Sequence, residues 1–344
     1  MWDRYTIRRK MNSFARKRGW TRAPVLPIRA WIAPTSRCNL QCHTCFKHQI
    51  ESDFEDMKPE VYERIRREIL PGLEEIYLTG AGEPFLAPIF YRILDDILAA
   101  GKRVWIVTNG TIIRRDDLER LVRAPAKLMV SIDGVTPDVL AHIRPGAKLD
   151  RVLDFMRTVK EAMDRGAHPL FEFQISYVVT RSNVHQLTEC VELAHRYGIK
   201  VVAFSSFVTG GRTDEFAAES LMGKPEEVMP HWEKAFRRAL ELGIHVPPIV
   251  FDCRDRSEEG QRKSQPTLYT PDGRIRPCPV PWWSTYIETD GSIRPCCVAP
   301  PLGNLLEQPF RAIWNGRAYR ELRRCVNTPG MPEYCNQCFL PVRL

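Results

Sequence analysis

The run IRAWIAPTSRCNLQCHTC, residues 28–45, decides the fold. Ile28 to Pro34 are mostly apolar and β-favouring, the texture of a short buried strand. The stretch from Thr35 to Cys45 has neither helical nor strand period and carries Cys38, Cys42 and Cys45. Three soft ligands thus sit in a loop at the carboxyl end of a strand, where α/β barrels place their chemistry. With eleven cysteines in 344 residues, a Cys-x3-Cys-x2-Cys spacing arises by chance in about 1% of sequences. Three thiolates suit a four-iron cluster that keeps one iron free of protein, whereas a structural zinc needs a fourth ligand. His43 is the candidate for that ligand, but its place beside Cys42 makes tetrahedral closure awkward.

Outward from this run the sequence keeps a βα rhythm. EEIYLTG (74–80), RVWIVTNG (103–110), KLMVSIDG (127–134), FEFQISYVVT (171–180) and IKVVAFSSFV (199–208) read as further strands. Helix-patterned stretches lie between them, over residues 57–70, 87–100, 115–122, 150–165 and 184–197. A helix over 225–242 and a strand over 245–253 follow, without the regularity of an eight-fold barrel. The expected fold is α/β, a partial (β/α)6 TIM-like barrel over residues 28–253. From 254 the texture changes to a charged linker, then short strands rich in Pro, Gly and Cys, with a hairpin turn at Asp290-Gly291 and a short helix over 310–324. A small Cys-rich C-terminal domain over 254–344 is expected, stapled by metal as domains of that size commonly are.

Residues 1–27 form a basic extension: nine Arg or Lys up to Arg29 face a single acid, Asp3, within a net charge of +8. Contact with RNA, an anionic membrane surface or an acidic electron-transfer protein would use such a segment, and so would a solvated tail or first helix. No stretch approaches the roughly 18 apolar residues of a spanning helix, and no secretory signal is recognisable. A cytoplasmic location follows as the expectation, and in that compartment surplus cysteine points to metal before disulfide.

The cysteine spacing resembles the defining motif of the radical S-adenosylmethionine (SAM) superfamily. The resemblance implies a [4Fe-4S] cluster on Cys38, Cys42 and Cys45 whose free iron chelates SAM. It implies reductive cleavage of SAM to a 5′-deoxyadenosyl radical, which abstracts hydrogen from the substrate, and an electron donor of flavodoxin or ferredoxin type. Thr79-Gly80-Ala81-Gly82-Glu83-Pro84 is similar to the family's Gly-Gly-Glu motif, so Gly80, Gly82 and Glu83 are expected to hold the SAM ammonium. By the same similarity Asn109 and Ser131, at the ends of the third and fourth strands, would contact SAM, and Asp133 would lie near the substrate. Taken singly these residues also read as turn and cap positions. Where the family usually carries an aromatic before the third cysteine, this chain has Thr44. Arg144, in HIRPG, falls in a region that often approaches the active site in this family, and by residue type it reads equally as a surface cation.

Cys278, Cys296, Cys335 and Cys338 supply four thiolates from two separated elements, enough for zinc or for a cubane. The run CPVPWW…DGSIRPCC…GNL…IWNG…CNQC resembles the SPASM/twitch extension of radical SAM enzymes, and this implies an auxiliary [4Fe-4S] cluster on those four, leaving Cys297 and Cys325 as spares. An auxiliary cluster suits a dehydrogenation, in which it accepts the second electron. An epimerisation would instead use a thiol to return hydrogen, and Cys253, at the end of a late strand, is the candidate donor, with a buried structural thiol as its plainer reading. Fewer than 40 residues precede Cys38, so no leader-binding domain is expected and the substrate reading is a small molecule, a polyol, sugar or aminocyclitol. Arg212, Asp214, Asp252 and Asp255 are candidates to bind its polar groups. A peptide substrate is the rival. A zinc-bound, RNA-associated scaffold is the remote alternative, and nucleic acid is otherwise not expected as a partner.

Overall fold

The computed structural model of the protein describes residues 4–45, 47, 55–112, 115–209, 214–247 and 277–337. Strands β1 (Arg29–Ile32), β2 (Glu75–Leu78), β3 (Arg103–Thr108), β4 (Ala126–Ser131), β5 (Glu172–Val179) and β6 (Val201–Ser206) pair in parallel, in sequence order. Helices α2 (Pro59–Glu68), α3 (Phe90–Ala99), α4 (Arg115–Val122), α6 (Leu149–Asp164) and α7 (Leu187–Arg196) connect them, as the rhythm of the sequence requires. A helix that the spacing does not announce, α5 (Pro137–Ile143), follows β4. After α8 (Pro225–Glu241) the expected strand over 245–253 is represented among the described residues only by a bridge from His245 to Val201.

Strand alternation separates two faces. Ala30, Ile32, Ile76, Leu78, Val104, Ile106, Leu128 and Val130 are fully buried, the face on which right-handed crossovers stack the helices. The alternate residues Trp31, Tyr77, Trp105 and Lys127 share one register and are only partly buried. Trp31 stacks on Tyr77 at 4.5 Å, the Trp105 ring lies tilted against Tyr77 at 4.7 Å, and the Lys127 ammonium is 3.9 Å from the Trp105 ring. The concave side of the partial barrel therefore has an aromatic floor.

The C-terminal domain does not stand apart. Its strand β7 (Ser284–Ile287) pairs in parallel with β1, matching Arg29 to Ser284 through Ile32 to Ile287. Strands β8 (Ser292–Arg294) and β9 (Gly303–Asn304) continue antiparallel, giving one nine-stranded sheet in the order β6-β5-β4-β3-β2-β1-β7-β8-β9. Without β7 the backbone of β1 would present an open edge. The Asp290-Gly291 turn is where the sequence puts it, with Gly291 at φ +86°. The single helix expected over 310–324 is two, Phe310–Trp314 and Arg317–Cys325, because the chain breaks at Gly316, where a Cβ would come within 2.6 Å of the Ala312 carbonyl.

The basic N-terminus is an ordered helix, α1 (Arg4–Lys17), packed at the amino ends of the strands. Arg8 donates to the carbonyls of Gly72, Leu26 and Pro27 and pairs with Glu74 at 3.5 Å. Tyr5 lies under the Arg103 guanidinium, 5.8 Å away, and Glu75 bridges Arg29 and Arg103 across the first three strands. Several of the cations that suggested a solvated tail thus close the floor of the barrel. Among the described residues no helix is long and apolar enough to cross a membrane.

Arg323 fastens the domains. It is 3% exposed, donates to the carbonyls of Pro281 and Thr21 and to Asn315 Oδ1, and lies over Trp314 at 4.5 Å. Burial lowers its pKa to about 10. Arg323→Ala should cost about 2–3 kcal/mol of unfolding free energy in urea, and lysine should not restore it, because an ammonium cannot reach three acceptors in one plane. A transition unchanged in both variants would show that the guanidinium is not a staple.

Candidate iron–sulfur and SAM site

The cysteine loop after β1 is sewn down at three places by backbone hydrogen bonds. The amide of Ser36 donates to the Glu55 carbonyl at 3.0 Å, and that of Met57 to Pro34 at 3.0 Å. The amide of Glu83 donates to the Arg37 carbonyl at 2.8 Å, and His43 donates to the carbonyl of Ile143 at 2.9 Å. Gly82 is demanded by the contact between Glu83 and Arg37. A Cβ there would stand 2.5 Å from the carbonyl oxygens of both Thr35 and Arg37, so only glycine lets the two loops meet. At Gly80 a Cβ would meet that of Ala33 at 2.6 Å, and the Tyr286 hydroxyl of the C-terminal domain lies just beyond.

The sulfurs receive positive charge and donors from several elements. Asn109 Nδ2 points at Cys38 Sγ from 3.9 Å and donates to Asn39 Oδ1 at 2.9 Å, while the Leu40 amide is 3.5 Å from the same sulfur. Arg144 donates from Nη1 to Cys42 Sγ at 3.8 Å and from Nε to Asp133 Oδ2 at 2.7 Å. Burial pushes the Cys42 thiol up to about 11, and the Arg144 charge only partly offsets this. Cys45 is shifted the same way by burial, with Lys47 opposing. Among the described residues no three His, Cys, Asp or Glu side chains converge as ligands of a single metal ion. The donor set of Cys38, Cys42 and Cys45 is all thiol, shielded and faced by N–H groups, and in these respects fits an iron–sulfur cluster.

Two of the expected site residues are placed inside the scaffold. Asp133 is fully buried, and its other carboxylate oxygen accepts from the Val178 amide at 2.7 Å. It therefore orients Arg144. Glu83 is 2% exposed and straps the ends of β2 and β3, accepting from Thr108 Oγ1 and from the Asn109 amide, each at 2.8 Å. Desolvation raises its pKa to about 7. Ser131 ends β4 at the same level and is 9% exposed. His43, the candidate zinc ligand, stacks on Phe216 at 4.8 Å. Sequence reasoning missed Trp31, Tyr77 and Trp105; their signal was an aromatic at the same register in three successive strands.

In the C-terminal domain the Tyr334 hydroxyl is pushed up by burial and by four thiols around it, those of Cys335, Cys296, Cys325 and Cys278. Asn327 ties two of these segments, accepting from the Cys278 amide at 2.7 Å just beyond the helix that ends at Cys325. Cys325, spare on spacing, acts on the Tyr334 hydroxyl together with three of the expected ligands, and Cys297 acts on that of Tyr286. Cys190 is buried in α7. Cys253, Cys338, Arg212, Asp252 and Asp255 lie outside the described residues.

Three outcomes follow. Reconstituted protein should hold about eight irons, falling by about half in Cys278→Ser and unchanged in Cys297→Ser and Cys325→Ser; lost iron in either of the last two would make that thiol a ligand in place of one of the expected four. Gly82→Ala should lose the iron of the first site, read as lost absorbance near the cluster's charge-transfer band. Because the folded pKa of Glu83 lies above its ordinary 4.5, this group's contribution to stability is full below that pH and is lost as pH rises through about 7. In iron-free protein, Glu83→Gln should flatten that fall, and an identical pH profile would contradict the buried placement.

Comparison with known proteins identifies the two domains. A family model described as the radical SAM superfamily matches residues 32–171, and one described as SPASM, an iron–sulfur cluster-binding domain, matches residues 278–339. An AdoMet-dependent heme synthase of Methanosarcina barkeri is 28% identical over 311 residues, covering 88% of this chain and 86% of the relative. The subtilosin biosynthesis protein AlbA of Bacillus subtilis is 24% identical, over 90% of this chain and 64% of that protein. Among solved structures, Streptococcus suis SuiB bound to S-adenosylmethionine superposes with a TM-score of 0.68 at 17% identity, over 97% of this chain and 75% of SuiB, a likeness of fold. The cofactors that go with the two domains are SAM and [4Fe-4S] clusters. The chain carries a radical SAM domain followed by a SPASM domain and belongs to the radical SAM superfamily.

Proposed function

We propose that this radical SAM enzyme modifies a peptide. The observation that carries the reading is the kind of relative that resembles it: AlbA acts in bacteriocin biosynthesis, and the mycofactocin maturase MftC of Mycobacterium tuberculosis is 30% identical over 188 residues, 53% of this chain and 46% of MftC. They support a larger substrate over the small polyol, sugar or aminocyclitol expected from the sequence. When bound, SAM and its reduced cluster supply a 5′-deoxyadenosyl radical that removes a hydrogen atom from the substrate. The chain's own residues do the rest. Cys38, Cys42 and Cys45 hold the iron, Asp133 fixes Arg144 with its charge toward Cys42, and Asn109 directs an N–H toward Cys38. The glycines at 80 and 82 keep the backbone close to the cysteine loop. The floor of Trp31, Tyr77 and Trp105 offers apolar surface that excludes water from the concave side and suits an extended side chain. Cys278, Cys296, Cys335 and Cys338 are the auxiliary ligands in this reading, and Cys253 is kept as the candidate hydrogen donor.

A second reading rests on the Methanosarcina relative, whose match spans most of both chains: a haem precursor as substrate. The two separate in one assay. Iron-loaded enzyme, SAM and reductant are incubated with precursor peptides or with a haem precursor, and 5′-deoxyadenosine is measured beside the mass of each candidate. The peptide reading expects a peptide mass change in step with 5′-deoxyadenosine. Turnover coupled to the tetrapyrrole, with every peptide unchanged, would replace it by the second reading.

A further inference from the structure

Helix α1 has two faces with different tasks. Its inner face, with Asn12 and Ala15 fully buried and Arg8 on three carbonyls, seals the barrel floor. That seal makes no demand on the outer face, yet Ile7, Met11 and Phe14 repeat there at helical spacing, 48%, 41% and 49% exposed. Trp20, also 49% exposed, extends the stripe by an edge-to-face contact with Phe14 at 5.6 Å. Four of the ten large apolar side chains most exposed among the described residues are gathered in this one segment. Exposed cations frame it. Lys10 and Lys17 lie along one side, and Arg18 sits over the Phe14 ring at 5.3 Å. Helix α1 contains no acid.

The cations of the N-terminus therefore divide. Arg8 and Arg29 are committed to carbonyls and to Glu74 and Glu75, while Lys10, Lys17, Arg18 and Arg22 are exposed. A second copy of the chain would bring the same positive charge against itself. An acidic protein would need a groove to receive a convex ridge. A lipid leaflet offers continuous negative charge over an apolar interior and needs no groove.

We propose that the outer face of α1 docks this protein on an anionic lipid surface, with Ile7, Met11, Phe14 and Trp20 entering the headgroup boundary and Lys10, Lys17 and Arg18 lying against lipid phosphates. The strands' carboxyl ends, with the cysteine loop, then face away from the lipid. This inference stands apart from the substrate reading.

The test is flotation of the iron-loaded full chain with vesicles of phosphatidylglycerol and phosphatidylcholine, against phosphatidylcholine alone. Binding to the anionic vesicles is expected at least tenfold above the neutral ones, and it should weaken when salt is raised from about 0.1 to 0.5 M. The triple change Ile7→Ser, Met11→Ser and Phe14→Ser should lower it about tenfold, with SAM cleavage in solution retained. Lys10→Glu with Lys17→Glu, at exposed positions that leave the buried face intact, should do the same and guards against a folding defect in the first variant. Equal binding to both vesicle types, or no binding, would overturn the proposal. So would a dimer in sedimentation that the serine variant converts to monomer, which would assign the stripe to a second copy.

Discussion

A full positive charge held in the interior organises this molecule. Arg144 is 9% exposed, and stripping water from a guanidinium is tolerable only with an acid fixed on one side and an electron-rich group on the other. Asp133 is the acid, anchored by a backbone amide of β5 so that it cannot swing away. Cys42 is the other partner, and its thiol, disfavoured as an anion by burial, is relieved by the same cation. The end of β4, the exit of α5 and the cysteine loop are thereby one electrostatic unit. Breaking any member leaves an uncompensated group in a dry place, so the geometry of the loop is set by charge as much as by packing.

Around that unit the glycines and the hydrogen-bonded loops make a second level of constraint. Gly82 brings the end of β2 onto Thr35 and Arg37, and Glu83 carries the connection to β3 through Thr108 and Asn109. The side chain that reaches Cys38 belongs to Asn109, whose backbone Glu83 holds. Neighbouring strands thus pass position from one to the next, and a loop with no period of its own acquires a defined shape from elements that have one.

Much of this was legible in the sequence, for identifiable reasons. Strands of parallel units are buried on the helix side and announce themselves as short apolar runs, and a triple-cysteine spacing is too improbable to be idle. Helix α5 escaped because only seven residues long it shows less than two turns of period. Arg144 read equally as a residue near the site and as a surface cation, because its contact with Cys42 spans 102 positions. The tie between Cys278 and Asn327, two residues past the helix that ends at Cys325, spans 49 positions and is invisible to spacing. The aromatic floor required register, which no single strand contains. The pairing of β7 with β1 joins residues over 250 positions apart, which no local pattern announces.

That pairing has a practical consequence. Because β7 is hydrogen-bonded along the whole of β1, removing the SPASM region does not delete a module; it unzips the strand that ends six residues before Cys38, the first cysteine of the loop. A truncated chain would present a raw sheet edge prone to self-association. Loss of radical chemistry in such a fragment would report damage to the first iron site as readily as absence of the second. Point substitutions that spare the β1–β7 ladder are the means of dissecting the two centres.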